Sequence, residues 1–292
     1  MKPAPFDYLR AESVAHAVQS LADAGGDGKV IAGGQSLMPM MNFRLVKPSL
    51  LIDINHIPDL AGIRQQDGRL GIGALVRHRT TAADPVIARH VPVLHAAMRH
   101  VAHLTVRNRG TFCGSVCHAD PAAEMPMIAL LLDGTVQTAT PRGGRRLPAR
   151  DFFLGPLMTA LEPDELVTEI EIDTLPADTG WCFEEFARRH GDYALAAVAV
   201  TVDRRDGRAA GPRIAVMGVG DRPMRMPEAE AALDGSDMGE AAIDAAVEAL
   251  RAAIAPNADL HASADYRRHL AGVLAGRALR GAWTRARERL AA

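Results

Sequence analysis

Two glycine-rich stretches constrain this chain more than any other feature: Ala32, Gly33, Gly34, Gln35, Ser36 and Leu37, and later Thr111, Phe112, Cys113, Gly114 and Ser115. A phosphate needs several donors converging on one point with no side chain in the way. Glycine permits that approach and the unusual dihedrals it requires. Val30, Ile31 and Ala32 read as a short buried strand, and Gln35, Ser36 and Leu37 open a helical turn whose first N–H groups favour an anion. Taken alone, the Gly33-Gly34 pair is more often an ordinary tight turn. A Rossmann fingerprint has three glycines in G-x-G-x-x-G spacing before a long helix, with an acid about 20 residues on. Pro39 and the short run to Phe43 disfavour that helix, so the pair of stretches points to a dinucleotide site on another fold.

The second stretch lies in a polar segment, residues 104–124, that is too rich in hydrogen-bonding groups for a plain core element. Thr111 and Ser115 offer hydroxyls, Gly110 and Gly114 offer close backbone approach, and Asp120 and Glu124 offer carboxylates suited to sugar or ribityl hydroxyls. Pro121 fits the first turn of a helix capped by Asp120, with Glu124 in it and residues 125–132 as its apolar body. Helix capping is the plain alternative role for Asp120.

With 292 residues, the chain is long for one core and comfortable for two or three subdomains. Residues 165–172 alternate polar and apolar as a half-buried strand, and residues 175–180 read as a joint. Residues 194–203 and 213–220 read as strands; residues 229–253 and 266–291 are alanine-rich and read as helices. The last helix carries Arg267, Arg268, Arg277, Arg280, Arg285, Arg287 and Arg289, but the formal charge of the chain is −2. Its basic face therefore reads as solvated or interfacial, not as a contact for nucleic acid or membrane. No stretch approaches the roughly 20 apolar residues of a membrane span, and the start lacks a signal-peptide core. The expectation is a soluble, cytoplasmic protein.

Cys113, Cys117 and Cys182 show no disulfide framework. Cys113, Cys117 and His118 lack a fourth metal ligand at usual spacing, and an iron–sulfur cluster usually takes four cysteines. The expectation is no metal in this chain, with any cluster in another polypeptide.

Residues 32–55 and 105–126, together with residues 188–200 around Gly191, Asp192 and Tyr193, resemble the medium, FAD-binding subunit of molybdenum hydroxylases, the family of xanthine dehydrogenase and carbon monoxide dehydrogenase. The resemblance runs from about Phe6 to about Arg277 and implies an α+β chain. Residues 1–175 would form a vanillyl-alcohol-oxidase (PCMH)-type FAD-binding domain, with a small α/β subdomain (1–57) and a mainly antiparallel one (58–175). Residues 176–292 would form a C-terminal α+β domain of the carbon monoxide dehydrogenase flavoprotein type. It further implies a complex, often a dimer of heterotrimers, in which a large molybdopterin subunit oxidises the substrate. A small [2Fe-2S] subunit relays the electrons, and FAD in this chain passes them to an external acceptor. Overall similarity favours an N-heteroaromatic substrate.

Carried onto this sequence, the family's roles place residues 30–37 around the FAD pyrophosphate and residues 111–115 on its other side. Glu124 would hold ribityl or ribose hydroxyls, with Asp120 as a second contact. Val101 and Leu166 would pack against the cofactor or simply in the core. Tyr193 would cover the isoalloxazine ring, and His118 is a candidate flavin neighbour. No general base or nucleophile is assigned, and His56, His78, His95, His100 and His103 read as surface or core residues. Two departures matter. Cys113 replaces a motif glycine, so its Cβ is expected to crowd the phosphate. Glu184 stands where some relatives carry a lysine near the flavin, which leaves NAD, quinone, cytochrome and oxygen all open as acceptors. A free-standing FAD-dependent oxidoreductase and a flavin-free assembly subunit are the alternatives.

Overall fold

The computed structural model describes residues 2–287. The chain opens with β1 (Asp7–Arg10), α1 (Val14–Asp23), β2 (Gly28–Ile31), α2 (Leu37–Asn42) and β3 (Leu50–Asp53). Ser13 starts α1 by accepting from His16 N at 3.1 Å, and Ala17, Val18 and Leu21 bury one face of it. The three strands pair in parallel in the order β1-β3-β2, with Leu50 opposite both Asp7 and Gly28. All three therefore end at the same edge. The loop after β2, which holds Gly33 and Gly34, emerges there.

A second sheet is antiparallel. It is built from β4 (Ile63–Gln66) and β5 (Arg69–Gly73), then α3 (His78–Ala83), α4 (Pro85–His90), α5 (Pro92–Ala97), α6 (Leu104–Arg107), α7 (Phe112–His118) and α8 (Glu124–Leu131), then β6 (Thr135–Ala139) and β7 (Arg146–Pro148). After α9 (Ala149–Phe152) and a small hairpin, β8 (Phe153–Gly155) and β9 (Met158–Thr159), the chain returns as β10 (Leu166–Asp173). The sheet order is β4-β5-β10-β6-β7, so β10 is central and flanked on both sides.

The rest of the chain forms β11 (Gly180–Ala187), β12 (Ala194–Arg205), β13 (Arg208–Met217), β14 (Met224–Arg225), α10 (Pro227–Leu233), α11 (Glu240–Ala253) and α12 (Ala264–Arg285). The strands make an antiparallel sheet in chain order. Both its faces are covered, which explains why β12 is buried over nine consecutive residues. One face, through Val198, Val200 and Val202, packs on α11 and α12. The other, through Phe183, Ala197 and Ala199, joins the core of the first two sheets. Between the second and third sheets lies α8, every residue of it after Glu124 buried. A helix apolar all round belongs in such a layer.

Two helical expectations need correction. Residues 229–253 are not one helix: Gly235, at φ +75, breaks the run into α10 and α11. The last helix starts earlier, at Ala264, because Ser263 accepts from Tyr266 N, and it ends at Arg285; Arg289 lies outside the described residues. Its arginines are largely spoken for. Arg280 pairs with Glu240, Arg268 with Asp265, and Arg285 lies over the Trp181 ring.

Arg267 is the exception to a solvated face. It is 7% exposed and donates Nη1 to Leu195 O (2.8 Å) and Gly218 O (3.1 Å), while Nη2 meets Asp259 at 2.7 Å. These carbonyls end the ladder of β12 and β13. Replacing Arg267 with alanine strands them, at a cost of about 3 kcal/mol. Chemical denaturation of the Arg267→Ala variant is expected to show that loss, and Arg268→Ala, which removes an exposed pair, little change.

Candidate cofactor site

The two glycine stretches meet through backbone alone. A Cβ built on Gly33 would lie 2.3 Å from Arg109 O and 2.8 Å from Gly110 Cα, closer than any side chain tolerates. Gly34 turns the chain at φ +72, a conformation glycine adopts without strain. A polar clasp then joins the loops. Asn55 Nδ2 donates to Ala32 O at 2.8 Å, Arg77 Nη2 donates to Asn55 Oδ1 at 2.6 Å, and Arg77 Nη1 donates to Arg109 O. Asn55 is itself fixed by Asp53, whose Oδ1 accepts from Asn55 N and Nδ2. Burial opposes the Asp53 charge, but hydrogen bonds from Tyr8 and Asn55 overcome it and hold the carboxyl below its usual range.

The clasp leaves a run of backbone donors without backbone partners. Among the described residues no backbone carbonyl accepts from the N–H groups of Gly33, Gly34, Gln35, Ser36 or Leu37, and Gly33 is buried. Buried N–H groups without partners are rare in folded proteins. Ser36 stands at the start of α2 without making a side-chain cap, so the helix end is open to a ligand. Arg77 adds positive charge: burial works against its guanidinium, and Arg109 and Arg79 repel it further. An anion relieves all of these at once. Beside the clasp, Asn55, His56, Leu75 and Arg77 line a cavity of about 360 Å³.

The second stretch is a helix start, not an open loop. Thr111 is 2% exposed, and its Oγ1 accepts from Gly114 N at 3.0 Å as the cap of α7. A Cβ on Gly114 would sit 2.6 Å from that hydroxyl. Phe112 and Cys113 point into the core at 0% and 2% exposure. The Cys113 side chain is turned into the core, its thiol donating to Ile72 O at 3.3 Å. Burial pushes that thiol well up, and Cys117 up to about 12. Both are inert packing groups.

Asp120 does not cap α8, another correction. The helix α7 ends at Ala119 in the left-handed conformation, φ 53. Asp120 Oδ1 then accepts from Ala122 N in a local turn, and α8 begins three residues later than the Pro121 signal implies, at Glu124. The turn is anchored to the third sheet by Gly218 N donating to Pro121 O at 2.9 Å. Burial, with Asp120 nearby, raises the Glu124 carboxyl to about 7. Tyr193 stands 68% exposed just before β12, and partial desolvation, with the fields of Asp120 and Glu124, raises its phenol. Burial likewise lowers His118 at the end of α7, against a smaller opposing pull from Asp120.

Asp120, Glu124, His118 and Tyr193 thus gather at one place, and Ala32 to Leu37 face Thr111 across the clasp. Val101 and Leu166, at 7% and 3% exposure, belong to the core cluster. Val30 packs partly on that core, and Ile31 lies against Gly34. Gln35 folds back to donate to Gly33 O. Glu184 lies beside Cys182 on the α12 side of the sheet. Its neighbour Glu185 takes the opposite face, 3.7 Å from His100. Asn55 and Arg77 were not among the expected site residues. The only available signal was Asn55 closing the motif that Ala32 opens.

Residues 4–175 match the FAD binding domain in molybdopterin dehydrogenase, and residues 181–282 match the carbon monoxide dehydrogenase flavoprotein C-terminal domain. The chain is 43% identical to the alpha subunit of the 6-hydroxypseudooxynicotine dehydrogenase complex of Paenarthrobacter nicotinovorans, over 98% of this chain and 97% of that one. It is 41% identical to the nicotine 6-hydroxylase medium subunit of the same organism, over 92% and 94%. A solved structure of carbon monoxide dehydrogenase from Hydrogenophaga pseudoflava matches with a TM-score of 0.96 at 39% identity, covering 98% of this chain and 100% of that chain. The chain belongs to the family of FAD-binding medium subunits of molybdenum hydroxylases, and is an oxidoreductase flavoprotein.

Proposed function

We propose that this chain is the electron-transfer flavoprotein of a heterotrimeric molybdenum dehydrogenase. It takes electrons from [2Fe-2S] clusters of a small partner subunit while a large partner subunit holds the molybdopterin cofactor and the substrate. The observation that carries the reading is the run of unpartnered N–H groups from Gly33 to Leu37, held against Gly110 by the Asn55–Arg77 clasp. It is a preformed anion cradle at the junction of the first two sheets, and an FAD pyrophosphate fits its chemistry.

FAD, when bound, supplies the ability to take electrons one at a time from clusters and release them in pairs. The chain's own residues bind and orient. Gly33 to Leu37 donate to the pyrophosphate, and Thr111, Cys113 and Gly114 set the opposing wall. Cys113 contributes its backbone N–H, not its thiol, since among the described residues that N–H too has no acceptor. Glu124 and Asp120 accept from sugar or ribityl hydroxyls. Tyr193 shields the ring from water, and the joint at residues 175–180 divides the FAD-binding domain from the C-terminal one. Nicotine-related substrates in the names of two relatives support an N-heteroaromatic substrate for the complex, bound in the large subunit.

Purification from the native host, with metal analysis, is expected to recover two further subunits together with molybdenum and iron. This chain alone and free of both metals would overturn the assembly. Gly33→Ala, which drives a methyl group into Arg109 O, is expected to weaken FAD binding at least tenfold, about 1.4 kcal/mol, read from flavin absorbance after dialysis. Arg77→Ala, which opens the clasp without a clash, is expected to weaken it by a similar factor. Full flavin retention in both variants would remove the cradle assignment.

A further inference from the structure

The close approach of Gly33 to Gly110 has a third layer. Gly110 lies in turn against the ring of His78 on α3: a Cβ built on Gly110 would be 2.7 Å from His78 Cδ2 and 3.2 Å from Nε2. Backbone pairing holds the two segments in register. Arg77 bridges Thr111 as a short antiparallel pair, His78 N donates to Gly110 O at 2.9 Å, and Phe112 N donates to Val76 O at 3.2 Å. Residues 76–78 therefore brace residues 110–112. The ring itself is 5% exposed, and its Nδ1 has no hydrogen-bond partner. A ring nitrogen buried without a partner costs free energy, so polarity is not what this side chain brings to the site. It brings volume, placed behind a glycine that has no side chain of its own to fill the space.

We propose that His78 is a positioning residue for the cofactor: its ring fills the space behind Gly110, holds that glycine against Gly33 and so sets the spacing between the two walls of the cradle. It acts through Gly110. The inference rests on the FAD reading above, since the cradle is the one assigned to the pyrophosphate. Spacing of this kind requires a neutral ring, because a buried cation without an acceptor would drive the segment open. The surroundings favour neutrality. Burial first, and then Arg107 on α6, bring His78 from 6.5 down to about 4. The other charged groups on the packed elements have their own partners: Arg107 Nη1 donates to Val101 O and Ala102 O, and Asp84 Oδ1 accepts from Val86 N and Ile87 N at the start of α4. Arg109, next to Gly110, turns its carbonyl to Arg77.

Flavin titration of the full chain at neutral pH tests the spacing. His78→Ala and Gly110→Ala are each expected to weaken FAD binding about tenfold. The double variant is expected to be no weaker than either, because the new methyl group on residue 110 enters the space the imidazole leaves, so the two losses do not add. His78→Leu, close in volume and unable to titrate, is expected to bind within about threefold of the wild type. A pH profile separates positioning from general stability. The folded state disfavours the His78 proton, so the stabilisation is complete above pH 6.5 and is lost as pH falls to about 4. On acidification the wild type is expected to release FAD at a pH about one unit above His78→Leu, while the fluorescence of Trp181 and Trp283, both in the C-terminal domain, stays that of the folded chain. Losses that add in the double variant, an unchanged affinity in His78→Ala, or FAD release at the same pH in wild type and His78→Leu overturns this proposal alone. If His78→Ala does not fold, the comparison of wild type with His78→Leu decides. A wild-type chain that takes up no FAD overturns the functional reading together with it.

Discussion

The structure depends on a contact from which side chains are excluded. Gly33 and Gly110, from loops on different sheets, approach so closely that a methyl group on Gly33 would overlap Arg109 O. Gly110 is hemmed from the other side, with His78 Cδ2 2.7 Å from where its Cβ would be. Burial holds that histidine near pKa 4, so it packs as a neutral ring. Ordering two loops costs on the order of 1–2 kcal/mol per residue in backbone freedom. Each clasp hydrogen bond returns only about 1 kcal/mol net, rather more where the guanidinium is the donor. The N–H groups of Gly33 to Leu37 stay without a backbone acceptor beside this contact.

The third sheet serves a different end. Its alternation assigns β11 two sets of neighbours: Cys182 and Glu184 meet the helical layer, while Phe183 and Glu185 meet the rest of the molecule. A shift of one residue along a strand reverses such an assignment. That is how two adjacent glutamates, identical in composition, come to have unrelated surroundings. The alanines of β12 that face α8 are equally specific, since they let its apolar body, residues 125–131, lie close against the strand.

Much of this was legible because it is local. Gly33-Gly34 after three apolar residues, and the alternation of residues 165–172, each encode their conformation within a few positions, and the structure places a turn and β10 there. The clasp was not legible. Asn55 and Arg77 are polar residues at strand and helix ends, and their partners lie 22 and 32 positions away, beyond any periodic signal. Asp120 misled for a similar reason. An acid before a proline is a sound helix-start pattern, but Ala119 closes α7 in the left-handed region and turns the chain once more before α8 begins. Cys113 was read in a loop motif where a capped helix stands; inside a helix the side chain has a definite face, and this one faces Ile72.

The single hydrogen bond from Gly218 N to Pro121 O joins the turn carrying Asp120 to the strand end gripped by Arg267. Arg267 belongs to the last long helix, so the cofactor region and the C-terminal end of the described chain share one rigid seam. A shift of that turn therefore reaches the helix behind it through two hydrogen bonds in series, Gly218 N to Pro121 O and Arg267 Nη1 to Gly218 O.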